Sequence, residues 1–225
     1  MSKKAVIIVA GGTGTRMQLK TAKQFLPIAG RPVILHTLDA FREYEPEMQI
    51  IIVLFRDLFS DFYGLLKEYQ YSLDFDLIEG GEERFHSVRN GLQKVNSEVE
   101  LVAIHDAVRP LVSINTIART FEEAAKSGAA IPAVPVVDTI REMNELESIT
   151  LTRSKLRAVQ TPQCFKVDLL KSAYNVEYNP VFTDDASVVE AAGYEISIVE
   201  GNRTNIKITT REDLLIAEAL LRASQ

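Results

Sequence analysis

Directly after a short apolar run the chain reads Ala10-Gly11-Gly12-Thr13-Gly14-Thr15-Arg16-Met17. Glycines 11, 12 and 14 let the backbone come close to a ligand and point its N–H groups at it, as phosphate cradles do. The run is not a Walker A loop, because no Gly-Lys-Ser/Thr closes it, and Met17 stands where the dinucleotide fingerprint needs its third glycine. By itself the turn is compatible with a plain tight strand-to-helix connection. Arg16, and Lys23 seven residues later, favour a loop that wraps a polyanion.

Two further loops carry chemistry. Gly80-Gly81-Glu82-Glu83-Arg84 and His105-Asp106-Ala107-Val108-Arg109-Pro110 each follow an apolar run. In an open α/β sheet ligands gather at such strand ends. An aspartate leaving a buried strand is a natural magnesium contact in phosphoryl chemistry, and equally a natural helix cap. The segments Thr161-Pro162-Gln163, Thr183-Asp184-Asp185 and Asn205-Ile206-Lys207, with Arg153, add polar groups without metal-ligand spacing. His36 sits in a helical pattern, and His86 and His105 lack a partner at zinc spacing. Cys164 reads as a structural thiol, since no histidine pairs with it along the sequence. A Gly-x-Ser-x-Gly elbow is missing, which disfavours an α/β-hydrolase.

The elements that must position these loops are legible as an alternation. Ala5 to Val9, Ile50 to Phe55, Phe75 to Ile78, Leu101 to Ile104 and Ala130 to Val134 read as strands buried on both faces. Between and after them, Ile34, Leu38 and Phe41 behind Pro32, then Ile114, Ile117 and Phe121, then Leu214, Ala217 and Leu221 repeat at helical spacing. Thr210 with Asp213 suits a capping box for the last helix. This is the pattern of an α/β fold with a mostly parallel central sheet. Residues 136 to 160 break it with dense charge and two short apolar stretches flanking Asn144 to Ser148. A projecting hairpin fits, either solvated or serving as a dimerisation arm, since an isolated hairpin is marginal in water.

Composition bounds the partners. The 225 residues are 46% hydrophobic and 25% charged, as in ordinary globular proteins. A formal charge of −6 gives no basic field for nucleic acid, and no apolar run approaches the roughly 18 residues of a membrane span. The short N-terminal apolar stretch does not read as a signal peptide, and one cysteine suits a reducing cytoplasm. No linker or repeat divides the chain, so one domain over 1–225 is expected, with the arm at 136–156 inside it.

Taken together the motifs resemble the 2-C-methyl-D-erythritol 4-phosphate cytidylyltransferase family of the non-mevalonate isoprenoid pathway. The matching runs are the Gly-rich loop with Lys23-Gln24-Phe25, Gly80 to Val88, His105 to Pro110, Asp138-Thr139, Thr161-Pro162-Gln163, Thr183 to Ala186 and Asn205-Ile206-Lys207. They follow the family order across nearly the whole chain. Glu82 stands where some relatives carry aspartate, and Ala22 where a proline is usual.

The resemblance implies a Rossmann-like nucleotidyltransferase domain, a homodimer with exchanged arms, and transfer of the cytidylyl group of CTP to methylerythritol phosphate with a divalent cation such as Mg²⁺. It implies that Ala10, Gly11, Gly12, Gly14, Thr15, Gly81, Glu82 and Ser87 hold CTP, and that Asp106 lies near ribose, triphosphate and metal. It assigns Arg16 and Lys23 to the transition state at the α-phosphate, with Arg153 and Lys207 among the catalytic cations, Arg153 reaching in from the partner subunit. Arg109, Thr139, Thr161 and Thr183 would hold the acceptor together with Lys207. The alternatives are a ribitol-5-phosphate cytidylyltransferase, which shares several elements, and a nucleotide-binding module without turnover. Hexose-1-phosphate nucleotidyltransferases share the first loop but need a longer chain.

Overall fold

The structure is a computed structural model that describes residues 3–11, 21–144 and 147–223. In chain order, β1 (Lys3–Val9) leads to a ribbon of β2 (Pro27–Ile28) and β3 (Arg31–Pro32), then α1 (Val33–Tyr44), β4 (Gln49–Leu54), α2 (Phe59–Glu68) and β5 (Asp76–Glu79). Next come α3 (Arg84–Leu92), β6 (Val99–Asp106), α4 (Ile114–Ser127) and β7 (Ala129–Pro135). The arm is β8 (Arg141–Met143) with β9 (Ser148–Thr150). The remainder is β10 (Arg157–Val159), β11 (Gln163–Lys166), α5 (Val167–Ala173), α6 (Asp185–Ala191), β12 (Ser197–Glu200) and α7 (Arg211–Ala223).

The five apolar runs of the sequence are β1, β4, β5, β6 and β7 of one sheet, ordered β5-β4-β1-β6-β11-β7, with β10 and β12 on β7. β1, β4, β5 and β6 pair in parallel, so their carboxyl ends share one edge. β1 is apolar on both faces because helices cover both. Val6 and Ile8 pack in one layer with Leu38, Phe41, Ile117 and Phe121, and Ala5 and Ile7 in the other with Val88, Leu92 and Val189. Gly91 sets how near α3 lies to the sheet, since a Cβ there would stand 2.8 Å from Ile7 Cγ2. The expected last-helix cap is formed: Asp213 Oδ2 accepts from the Thr210 N–H at 2.8 Å, and Thr210 Oγ1 from the Asp213 N–H at 3.3 Å.

β11 departs from the simple alternation. It runs antiparallel between β6 and β7 and separates the two strands that α4 connects. Its Gln163-Cys164-Phe165 is buried, with the Cys164 thiol fully enclosed and its pKa pushed up by burial. The expected hairpin is present. β8 and β9 pair antiparallel, and the Asn144 side chain closes the turn by accepting the Glu147 N–H at 2.7 Å. Val137, Met143 and Ile149 on this arm stay more than half exposed.

Candidate active site

Backbone hydrogen bonds continue beyond the strand ends and tie together the residues from which the three motif loops depart. The Ala10 N–H donates to Val53 O at 2.8 Å, Ala107 N–H to Val9 O at 3.0 Å, and Gly80 N–H to Leu54 O at 2.9 Å. Between them lies a cavity of about 350 Å³. Ala10, Gly11, Lys23, Gly81, Glu82, Ser87, Asp106 and Lys207 all line it. Of the expected nucleotide and catalytic contacts, Gly12, Gly14, Thr15 and Arg16 lie outside the described residues.

Local chemistry explains each placement. The Gln24 side chain is buried and donates to Ala10 O at 2.7 Å, while Phe25 stacks on Phe62, so the turn carrying Lys23 is pinned against the Gly-rich strand end. Gly81 is required by space: a Cβ there would fall 2.3 Å from His86 Cβ. Its N–H donates to Ser87 Oγ at 3.1 Å, and Glu83 and His86 form the reciprocal cap that starts α3.

Asp106 is the electrostatic centre. Lys207 Nζ stands 3.0 Å and Arg109 Nε 3.3 Å from its Oδ2, and Arg84 Nε 3.8 Å from its Oδ1. Burial pushes the Asp106 carboxyl up, but Arg84, Lys207 and Arg109 together outweigh it and hold it well below the usual carboxylate range. Lys207 is brought here by packing. The next residue, Ile208, donates its N–H to Val108 O at 2.9 Å and is buried with Ile28, Val33 and Ala217 of α7. Arg109 is oriented by donating from Nη1 to Asn205 O at 2.8 Å.

Arg84 is the member that the motifs left without a role. Burial disfavours its charge, but Asp185 and then Asp106 more than compensate and keep the guanidinium ionised. Arg84 Nη2 meets Asp185 Oδ2 at 2.6 Å, and the fully buried Asp185 also accepts from Tyr174 Oη at 2.6 Å. Asp184, beside it, caps α6 by accepting the Ser187 N–H at 2.9 Å, and Gln163 Nε2 donates to its Oδ2 at 2.7 Å. The Thr183-Asp184-Asp185 motif therefore ties β11 and α6 to the cavity wall, while Thr183 itself is exposed and does not line the cavity.

Two expected contacts have other partners. Thr161, 5% exposed, accepts the Asp106 N–H at 3.1 Å and meets His105 Nδ1 at 3.1 Å. The Arg109 carbonyl, 3.2 Å from His105 Nε2, can only accept, so Nε2 carries the ring proton and Nδ1 accepts from the Thr161 hydroxyl. Burial lowers the His105 pKa to about 3, which keeps this tautomer neutral. The Thr161 hydroxyl, expected to bind the acceptor, thus braces the Asp106 loop from behind. Arg153 donates to Val137 O at 2.6 Å at the base of its own arm. Neither it nor the exposed Thr139 reaches the cavity of the same chain.

What this geometry can do is bind a polyphosphate. Lys23, Arg84 and Lys207 line the cavity, and among the described residues no histidine does. Cations over the carboxyl edge of a parallel sheet are an arrangement that suits nucleotidyl transfer. Residues 4–223 match the family model described as 2-C-methyl-D-erythritol 4-phosphate cytidylyltransferase, and the chain belongs to that family. A protein of that name from Bacteroides thetaiotaomicron is 51% identical over 97% of this chain and 100% of its own. Among solved structures, the 4-diphosphocytidyl-2C-methyl-D-erythritol synthase of Anaerococcus prevotii superposes with a TM-score of 0.84 at 29% identity, covering 98% of this chain and 96% of that one. The cytidylyltransferase of Thermus thermophilus superposes with a TM-score of 0.78 at 35% identity, covering 99% and 100%.

Proposed function

We propose that this protein transfers the cytidylyl group of CTP to 2-C-methyl-D-erythritol 4-phosphate, forming 4-diphosphocytidyl-2-C-methyl-D-erythritol and releasing pyrophosphate. The observation that carries the mechanism is Asp106 held among Arg84, Lys207 and Arg109, of which Asp106, Arg84 and Lys207 line a cavity whose described wall holds no imidazole. The nucleophile is a phosphate monoester oxygen, already largely ionised near neutral pH because its second pKa is about 6. No base has to remove a proton. The protein's task is to bring two anions together and neutralise charge as the bond between the α-phosphate and the pyrophosphate breaks.

In this reading Lys23, with Arg16 of the Gly-rich loop, stabilises the in-line transition state at the α-phosphate, and Lys207 and Arg109 hold the acceptor phosphate. Asp106 orients those two cations through Oδ2. Magnesium fits the donor set in one way. No cluster of three His, Cys, Asp or Glu groups exists among the described residues to cage a metal, whereas one carboxylate beside substrate phosphates suits this ion. Asp106 Oδ1, with Arg84 Nε 3.8 Å away, would hold it. When bound, the ion neutralises phosphate charge.

We also infer a homodimer in which each arm serves the neighbouring site, supported by the exposed apolar Val137, Met143 and Ile149 and by Arg153 not lining the cavity of its own chain. Mixing Lys23→Ala with Arg153→Ala protomers is expected to restore part of the activity that each variant lacks, because one site of the mixed dimer carries neither lesion. No recovery removes the exchange. No helix of the described residues is long and apolar enough to cross a membrane, and with one buried thiol the cytoplasm is our proposed location.

The test of the function is pyrophosphate release from CTP and Mg²⁺ with either acceptor. Rapid release with methylerythritol 4-phosphate and little with ribitol 5-phosphate is the expected result. Release with ribitol 5-phosphate alone, or with neither despite CTP binding, overturns it.

A further inference from the structure

We propose that Phe55 is the apolar wall against which the pyrimidine ring of the nucleotide packs. This rests on the reading of the cavity as a CTP site and adds a residue that none of the motifs contains.

Phe55 leaves β4 in extended backbone, with φ −63° and ψ 142°, at the same edge as Ala10 and Gly80. It is the one aromatic side chain among the described residues lining the cavity. Its Cε2 and Cζ lie 3.7 Å from the point where a Cβ on Gly11 would stand, and Ser87 Oγ lies 3.8 Å from that point. These are ordinary contact distances for carbon. The missing side chain at Gly11 therefore leaves a place where a flat ring meets the Phe55 ring on one side and a hydroxyl on another. Phe25, Phe62, Phe75 and Phe85 each pack against another ring, whereas Phe55 has no ring partner among the described residues and remains half-buried. A ligand ring would remove that apolar surface from water, with the offset or edge-on geometry that aromatic pairs prefer. The cations lie elsewhere on the cavity wall, at Lys23 and around Asp106, so Phe55 can contribute to base binding without touching phosphate chemistry.

The sequence contains no tryptophan, so Phe55→Trp supplies a single indole reporter. CTP is expected to quench its fluorescence, and inorganic tripolyphosphate, which carries the charge without the base, is expected to leave it unchanged. By calorimetry Phe55→Ala is expected to weaken CTP binding about 5- to 150-fold, the range for losing an aromatic partner of one base. Tripolyphosphate binding stays within twofold. Phe55→Leu, which keeps apolar bulk, falls between the two and guards against a folding defect. CTP affinity within twofold of the parent for Phe55→Ala, or equal quenching by tripolyphosphate, overturns the proposal. Failure of the unsubstituted protein to bind CTP overturns the reading of the cavity itself, a result distinguishable from the first two.

Discussion

Arg84→Met is expected to lower the stability of the protein by about 3 kcal/mol, at the lower end of the cost of stripping one partner from a buried ion pair. The physical reason is Asp185, whose side chain is fully enclosed and whose Oδ2 would lose a partner 2.6 Å away. Two features keep the effect from being larger. Tyr174 Oη still donates to Oδ1 at 2.6 Å, and Asp185 opens α6, where the helix N-terminus favours a negative charge. For a chain of this size the expected fall in Tm is about 6–12 °C. The double variant Arg84→Met with Asp185→Leu should recover much of the loss, because it removes the stranded charge as well. Calorimetric unfolding checks both. A Tm within about 2 °C of the parent for Arg84→Met would falsify the role given to this pair.

Lys23→Ala is expected to reduce kcat by about 10²-fold or more, the scale of losing one preorganised donor aimed at developing charge. Stability should change little, because the turn is held by the neighbours of Lys23: the buried Gln24 amide on Ala10 O and the Phe25 ring on Phe62. That separation makes the measurement informative. A fall in kcat with an unchanged Tm and a smaller change in the KM for CTP places Lys23 in the transition state. A kcat within a few-fold of the parent removes it from that role and leaves the cations around Asp106 as the source of charge stabilisation.

The sheet of apolar runs and the loops at its carboxyl edge are legible in the order of residues along the chain. Both signals are local. A strand covered by helices on both sides must be apolar on both faces, as β1 is, and the glycines of a run such as Gly80-Gly81 mark close backbone approach, as at Gly81, where a Cβ would fall 2.3 Å from His86 Cβ. The same holds for the arm, whose charge and broken periodicity mark it within one stretch of chain, and for the cap at Asp213. Resemblance to a family supplied the expected roles of Asp106, which its position alone left open between site and helix cap, and of Lys207, while Arg16 and Lys23 already read as cations for a polyanion.

What depends on distant partners emerged only on folding. Arg84 finds Asp185 101 positions along the chain, and the Thr161 hydroxyl is taken by His105 and the Asp106 N–H rather than left for a ligand. β11 slips antiparallel between β6 and β7 although its sequence shows a polar motif, because the Gln163 side chain is satisfied across the gap by Asp184 and the Ala186 N–H. Phe55 reads in sequence as the end of a buried strand and becomes cavity wall only where β1 and β5 end beside it. Burial and charge pairing are properties of positions that folding brings together, so residue types along the chain do not encode them until the chain has closed.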